Sequence, residues 1–256
     1  MSTNLEAQRH YMRGEYELAA EGFREAARDG DMDAAFNYGY CLWHGIGVDY
    51  DPAEAKSFFS YSRELAGGDS CYNIAMLYMH GEGVRKDYKA TIRYMKVAAQ
   101  LGCVEAKLYL GMAYTTGCVI EPDITGICRI PFHKPEYRVE DTFLLVGDVS
   151  DAEADEEARF SAIDADGRMA YTYFRSAAYA DPTYVGDLVA KGQFLYAKCY
   201  IDGLGTDFNR EVGARLMLAA GKSGSSEAIA FLAENGITPE MLAEANPKRN
   251  GKCGGV

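Results

Sequence analysis

The sequence contains little proline and little tryptophan. Proline occurs 7 times and tryptophan once in 256 residues. Cysteine occurs seven times, and the chain has no Cys-x-x-Cys motif. An odd number of cysteines without such a motif argues against a disulfide framework, so we expect reduced thiols and a cytoplasmic protein.

Long apolar runs and an excess of positive charge are also missing. No stretch of about 18 apolar residues occurs, which argues against a transmembrane helix. The first ten residues lack a basic segment followed by an apolar one, so we expect no secretory signal. The net charge of −12 makes nucleic acid and anionic membranes poor partners, whereas a basic partner is compatible with it.

A glycine turn recurs along the chain every 36 residues. His-Gly-x-Gly-Val occurs at 44–48 and 80–84, and Thr-Gly-Cys-Val at 116–119 follows at the same spacing. Asp-Gly-Leu-Gly-Thr at 202–206 repeats the turn after a long interruption. A fixed period of this length is typical of repeat proteins. Because glycine just past a helix end accepts a left-handed backbone, each turn predicts the end of the first helix of a repeat.

Small and large residues keep the same register around each turn. Before the turn, a small residue opens the repeat, and a large, a small and a large residue follow, as in Ala34, Tyr38, Gly39 and Leu42. After the turn, an Ala-Ala pair is preceded at three residues by a larger side chain. The larger side chains are Phe23, Met95, Phe174 and Leu216, and the pairs begin at Ala26, Ala98, Ala177 and Ala219. This register predicts two helices in each repeat.

The pattern small-x-x-x-Leu-Gly-x-x-Tyr-x-x-Gly-x-Gly-Val, followed by Lys-Ala, Tyr and Ala-Ala, resembles the Sel-one-like repeat (SLR) family. This family belongs to the tetratricopeptide-repeat-like superfamily. Residues 70–102 match the pattern best, and residues 34–66 and 192–224 match it less fully. The resemblance implies an all-α, right-handed α/α solenoid of antiparallel helix pairs, whose first helices line a concave groove. It is not specific for one function, because such repeats bind many unrelated partners.

The register divides the chain into repeats, two caps and one insertion. A long insertion of this kind is expected to be functional or disordered. The apolar residues of the insertion favour a packed structure over disorder. Its acidic stretch at 148–157 predicts the start of a helix. The predicted segments are N-terminal capping helices at 1–33, repeats at 34–119, an insertion within the third repeat at 120–167, repeats at 168–236, and a C-terminal capping helix with a flexible tail at 237–256.

Two motifs that suggest ligand chemistry are better explained as turns. A phosphate-binding loop requires a third glycine and a preceding strand, and the Gly-x-Gly turns have neither. The run 164–167, Asp-Ala-Asp-Gly, resembles part of a calcium loop, but Ala162 and Tyr173 would stand where such a loop needs carboxylates. We therefore predict a helix start at 164–167.

The cysteines and histidines suggest no metal site or catalytic group. Cys41 and Cys199 share one repeat position and are predicted to be small core residues. Cys118, Cys128 and His133 lie in or beside the insertion, but three ligands are too few for structural zinc. We expect no cofactor, no metal and no catalytic residue. A pocket built by the insertion around His133 is the alternative that would make the chain an enzyme.

Two mostly apolar rows on the first helices lie outside the repeating core pattern. The first row holds Tyr40, Met76, Met112 and Lys198, and the second holds Trp43, Met79, Thr115 and Ile201. Methionine and aromatic side chains suit the recognition of a peptide or helix; the alternative is that they pack between adjacent first helices. The predicted groove consists of Tyr40, Trp43, His44, Met76, Met79, His80 and Met112.

The resulting hypothesis is an adaptor or regulatory scaffold that binds another protein in this groove. Its partner would be an apolar segment flanked by Lys or Arg, and the chain would be a monomer or a weak homo-oligomer. The alternative is a self-assembling structural protein whose groove is filled by its own insertion or by another copy.

Overall fold

The computed structural model describes residues 3–121, 156–182 and 186–236, and the regular structure in these ranges is entirely helical. The chain forms two compact units, residues 1–165 and 166–256. The first unit contains α1 (Asn4–Met12), α2 (Tyr16–Arg28), α3 (Met32–His44), α4 (Pro52–His80), α5 (Tyr88–Gln100) and α6 (Val104–Thr116). The second unit contains α7 (Gly167–Ala178), α8 (Gly186–Asp202), α9 (Arg210–Lys222) and α10 (Ser226–Glu234).

Three of the loops between a first and a second helix have the same hydrogen bonds. The last loop residue donates its backbone N–H to the first helix at 2.9–3.0 Å. Its side-chain oxygen also accepts a backbone N–H in the first turn of the second helix, at 2.9–3.0 Å. One residue therefore closes the loop and caps the next helix. These residues are Asp51, Asp87 and Asn209, which donate to the carbonyls of Leu42, Tyr78 and Tyr200.

The second glycine of each Gly-x-Gly turn contacts the second helix of the preceding repeat. Gly47 has a left-handed backbone with φ of 66°. A Cβ at this position would overlap the carbonyl of Tyr16, in the first turn of α2. Gly83 faces the start of α4 in the same way, and Gly205 faces the start of α7. Both backbone conformation and space therefore require glycine at this position.

The first large residue of each predicted repeat is buried in both units, whereas Tyr78 and Tyr200, at the second large position, are half-buried. The large residues four positions after each repeat opening, Tyr38, Ile74, Leu110, Tyr196 and Leu232, are all buried. This confirms the register of the first helices.

One register prediction is wrong by a single residue, in α9. The buried pair there is Met217 and Ala220, whereas Leu216 is half-buried and Ala219 is exposed. The helix cap sets this phase: Met217 lies eight residues after Asn209, as the buried Met95 lies eight after Asp87.

The helix α4 combines the second helix of one repeat with the first helix of the next. Gly67 interrupts it with φ of 26° and ψ of −93°. Near this break, Ser62 and Ser70 occupy positions that hold alanine in other repeats. Both are buried, and their hydroxyl groups share a hydrogen bond of 3.0 Å. The Ser62 hydroxyl also donates to the carbonyl of Phe59 at 3.2 Å. A hydrogen-bonded pair therefore replaces a pair of small apolar side chains.

The N-terminal segment contains the helices α1 and α2, with a turn at Gly14 between them. The two sides of the predicted insertion meet where it leaves the repeat. Val119 N–H donates to the Arg159 carbonyl at 3.2 Å, and Arg159 Nε donates to the Val119 carbonyl at 3.0 Å. Residues 156–160 are helical. The predictions for 122–155 and for 237–256 lie outside the described residues, and the segment boundaries stay predictions.

We expect Gly47→Ala to destabilise the chain more than Gly45→Ala. Alanine at Gly45 costs about 1–2 kcal/mol for its left-handed backbone alone, because its nearest contact, Tyr50 Cβ at 3.6 Å, leaves room for a methyl group. Alanine at Gly47 has the same backbone cost, and its methyl group must in addition displace the start of α2. Urea unfolding of both variants measures the difference, and equal losses would contradict the packing role of Gly47.

Candidate partner-binding surface

The predicted groove residues lie on three first helices of the first unit: α3, the second half of α4, and α6. Four of them are buried, with at most 3% of each side chain exposed: Tyr40, Trp43, Met76 and Met79. Met112 on α6 is half-buried, as are His44 and His80 at the ends of α3 and α4. Thr115, which holds the repeat position of Trp43 and Met79, is exposed. The apolar rows are therefore interior at α3 and α4 and become accessible at α6.

Trp43 packs between two repeats. Its indole N–H donates to the carboxylate of Glu82, the middle residue of the next Gly-x-Gly turn. Its ring lies 6.0 Å from the Phe59 ring and 4.9 Å from the His44 ring, and the Tyr40 ring lies 4.3 Å from His44. These contacts correspond to the packing alternative for Trp43: the side chain connects α3 to the neighbouring repeat.

A row of carboxylates lies at the other end of the same helices. Asp33, Asp69 and Glu105 are 36 residues apart, and each precedes the small residue that opens a repeat. Burial raises the pKa of Glu105, and the charge of Asp69 raises it further. The Cys103 thiol donates to Glu105 at 3.4 Å, and burial with these two carboxylates raises its pKa well above the ordinary value.

The helix dipole stabilises each carboxylate individually, but the row also concentrates negative charge along one edge of the first helices. This row was not among the predicted site residues, although the 36-residue register contains it.

The second unit differs at the equivalent positions. Lys198 stands at the repeat position that Tyr40, Met76 and Met112 occupy in the first unit, and it pairs with Asp202 at 3.5 Å. Tyr171 of α7 and Tyr196 and Tyr200 of α8 form a cluster of hydroxyl groups, with oxygens 2.9–3.4 Å apart. Hydrogen bonds from Tyr171 and Tyr196 lower the pKa of Tyr200. The cluster connects the two helices.

Two smaller sequence features have the structural roles that were predicted for them. Asp166 caps α7 by accepting the N–H groups of Arg168 and Met169 at 2.9 and 3.1 Å, which confirms the predicted helix start. Cys41 and Cys199 are buried as predicted, and burial raises the pKa of Cys199 to about 11.

Neither a metal cluster nor a membrane span is found in the described parts of the chain. Within 3–121, 156–182 and 186–236, no three His, Cys, Asp or Glu side chains are placed to hold a metal ion. None of the helices described there is long and apolar enough to span a bilayer. Cys118 is half-buried. Cys128 and His133 lie outside the described residues.

The sequence matches one repeat family over half of its length. The Sel1 repeat model matches residues 33–65, 68–103, 160–182 and 190–225. The first two matches and the last coincide with repeats predicted from the register. The third begins at 160, close to where the chain re-enters the repeat through Arg159.

Two solved structures have a similar fold. One is a Sel1 repeat protein from Oxalobacter formigenes, 19% identical, with a TM-score of 0.57 over 90% of this chain and 74% of that one. The other is c5321, a protective antigen present in uropathogenic Escherichia coli strains displaying an SLR fold. It is 21% identical, with a TM-score of 0.62 over 93% of this chain and 43% of that one. This chain therefore spans less than half of the antigen. At these identities the similarity concerns the fold, and it confirms the predicted all-α solenoid class.

We expect Trp43→Ala to destabilise the chain strongly, by about 3–5 kcal/mol, because it removes a buried aromatic ring and leaves a cavity. Met112→Ala should cost markedly less, because Met112 is half-buried. Urea unfolding of the two variants measures the contrast. A loss at Met112 as large as that at Trp43 would mean that Met112 is a core residue rather than a surface one.

The raised pKa of Glu105 predicts how stability depends on pH. A carboxyl group whose pKa is higher in the folded chain favours folding when it is protonated. The free energy of unfolding should therefore fall as pH rises from about 4 through the raised pKa, and Glu105→Gln should remove this fall. Urea unfolding across a pH series measures the effect.

Glu227 is the matched control, because it occupies the same repeat position in the second unit. Burial acts to raise its pKa, but bonds from its own backbone N–H, Ser226 and Ser225 lower the pKa overall. Glu227→Gln should therefore have the opposite effect, reducing stability at neutral pH relative to acid. Identical pH profiles for the two variants would contradict the assignment.

Proposed function

Because this chain belongs to the Sel1 repeat family, we propose that it is an interaction scaffold that binds a peptide or helix along the first helices of its first unit. Proteins of this family are generally protein-interaction scaffolds and typically non-enzymatic. None of the five described cysteines forms a disulfide bond, which fits our proposal of a cytoplasmic protein.

One observation carries the proposal: each first helix of this unit has an acidic and an apolar residue on the same face. Glu105 and Met112 on α6 are seven residues apart, which is two helical turns and about 10 Å. Both side chains are partly accessible. The pairs Asp33 and Tyr40 on α3 and Asp69 and Met76 on α4 have the same spacing.

The predicted groove residues then have two roles. Tyr40, Trp43, Met76 and Met79 are buried and position the three helices. Met112, with His44 and His80 at the helix ends, provides the contact surface. A partner that matches this surface has an apolar side chain and a Lys or Arg about 10 Å apart. The net charge of −12 favours the approach of such a partner.

Affinity capture with a charge introduced at α6 tests this function. Tagged wild-type chain, Met112→Glu and a control, Met12→Glu, are incubated with lysate of the source cells, and the bound proteins are quantified by mass spectrometry. Met12 on α1 is 55% exposed, so the control carries the same change at a different surface. We expect partners to be retained by wild type and Met12→Glu and to be lost with Met112→Glu.

The assignment would be overturned if all three samples retained the same proteins, or if none retained any. Light scattering on the same samples measures their mass. A dimer or larger assembly that Met112→Glu disrupts would instead favour the self-assembly alternative.

A further inference from the structure

The segment around α5 is basic in an otherwise acidic chain. Residues 85–100 contain five basic residues and one acidic residue, Asp87. The carboxylate of Asp87 accepts the Ala90 N–H at 2.9 Å and caps α5. This segment therefore presents positive charge on a chain whose net charge is −12.

Three of these cations lie on one face of the helix. Lys89, Arg93 and Lys96 are four and three residues apart, which places them on one side of α5. Lys89 and Arg93 are exposed, and Lys96 is half-buried. The opposite side of α5 contains Thr91, Met95 and Ala98, which are buried. We call Lys89, Arg93 and Lys96 the basic face.

Tyrosine rings lie beside these cations. The Arg93 guanidinium is 5.4 Å from the centre of the Tyr94 ring, and the Lys96 ammonium is 5.6 Å from the Tyr114 ring. The Tyr94 ring stacks on Tyr78 at 5.6 Å. Such cation–π contacts contribute about 0.5–1 kcal/mol at exposed sites. They restrict the long basic side chains before any partner binds, which reduces the entropy lost on binding.

We propose that the basic face of α5 is a second interaction surface and that its partner is a short acidic segment of another protein. Lys89 and Arg93 are about 6 Å apart along the helix axis, and Arg93 and Lys96 about 4.5 Å. Alternate side chains of an extended segment point the same way and lie about 7 Å apart. Carboxylates at two alternating positions would therefore meet Lys89 and Arg93, whose spacing is close to this value.

The size of the surface favours a peptide over a longer polyanion. α5 has 13 residues and is about 20 Å long, which matches about six residues of extended chain. Nucleic-acid binding commonly uses about 6–10 phosphate contacts, whereas the basic face offers three cations. Beyond the basic face, a longer polyanion would meet a surface with excess negative charge, as would an anionic membrane.

This surface is independent of the proposed function. It lies on the second helix of a repeat, whereas the proposed groove lies on first helices, and the two surfaces select partners of opposite charge. The failure of either proposal leaves the other in place.

Fluorescence anisotropy with defined probes tests the basic face. The probe is a fluorescein-labelled peptide with glutamate at alternating positions, and its control has glutamine at those positions. The variant is Lys89→Glu/Arg93→Glu. The matched control, Arg210→Glu/Arg215→Glu, changes the net charge equally on α9 of the second unit. Circular dichroism melting verifies that both variants fold.

We expect the glutamate peptide to bind wild type and the α9 control with similar affinity, and to bind the α5 variant at least tenfold more weakly. Binding should also weaken between about 50 mM and about 200 mM salt. The proposal is overturned if the α5 variant binds as wild type does, or if wild type binds the glutamine peptide equally well. It is also overturned if single-stranded oligothymidylate or phosphatidylserine vesicles bind wild type more tightly through the same residues.

Discussion

The stacking of this chain depends on the contact between a loop glycine and the first turn of the preceding second helix. At Gly47, Gly83 and Gly205 there is no room for a side chain between these two pieces of backbone. The contact fixes how closely each turn approaches the repeat before it. Three of the loops also close through the same hydrogen bonds. This regularity keeps the first helices in register, so that Tyr38, Ile74, Leu110, Tyr196 and Leu232 are all buried.

The same regularity separates residues that build the stack from residues available for binding. A large side chain on a first helix is covered wherever a neighbouring repeat supplies a contact, as Glu82 does for Trp43. It stays accessible where that cover is incomplete, as at Met112. The adjacent helices α5 and α6 then carry the two proposed binding surfaces, the basic face on α5 and Glu105 with Met112 on α6. A scaffold with such a pair of helices would hold two partners of unlike charge near each other.

The period of the glycine turns was sufficient to predict the helices, the turns and most of the core. It was not sufficient for α9, where Leu216 and Met217 are adjacent apolar residues and the phase depends on the cap at Asn209. It also could not decide between packing and binding for Trp43. That decision depends on Glu82, 39 residues away in the sequence, because one repeat does not encode the position of its neighbour. The acidic row was missed because single carboxylates at helix starts have an ordinary local explanation.

The third turn shows where this architecture tolerates change. Val119 stands where Gly47 and Gly83 stand in the first two turns, and its backbone pairs with Arg159 instead. The chain between these two residues therefore leaves and re-enters the first unit at one point. Extending such a closed loop is inexpensive, since doubling its length costs only about 0.6 kcal/mol. Evolution, or an engineer grafting a foreign domain, can therefore vary this segment in size and sequence while the repeats on either side keep their geometry.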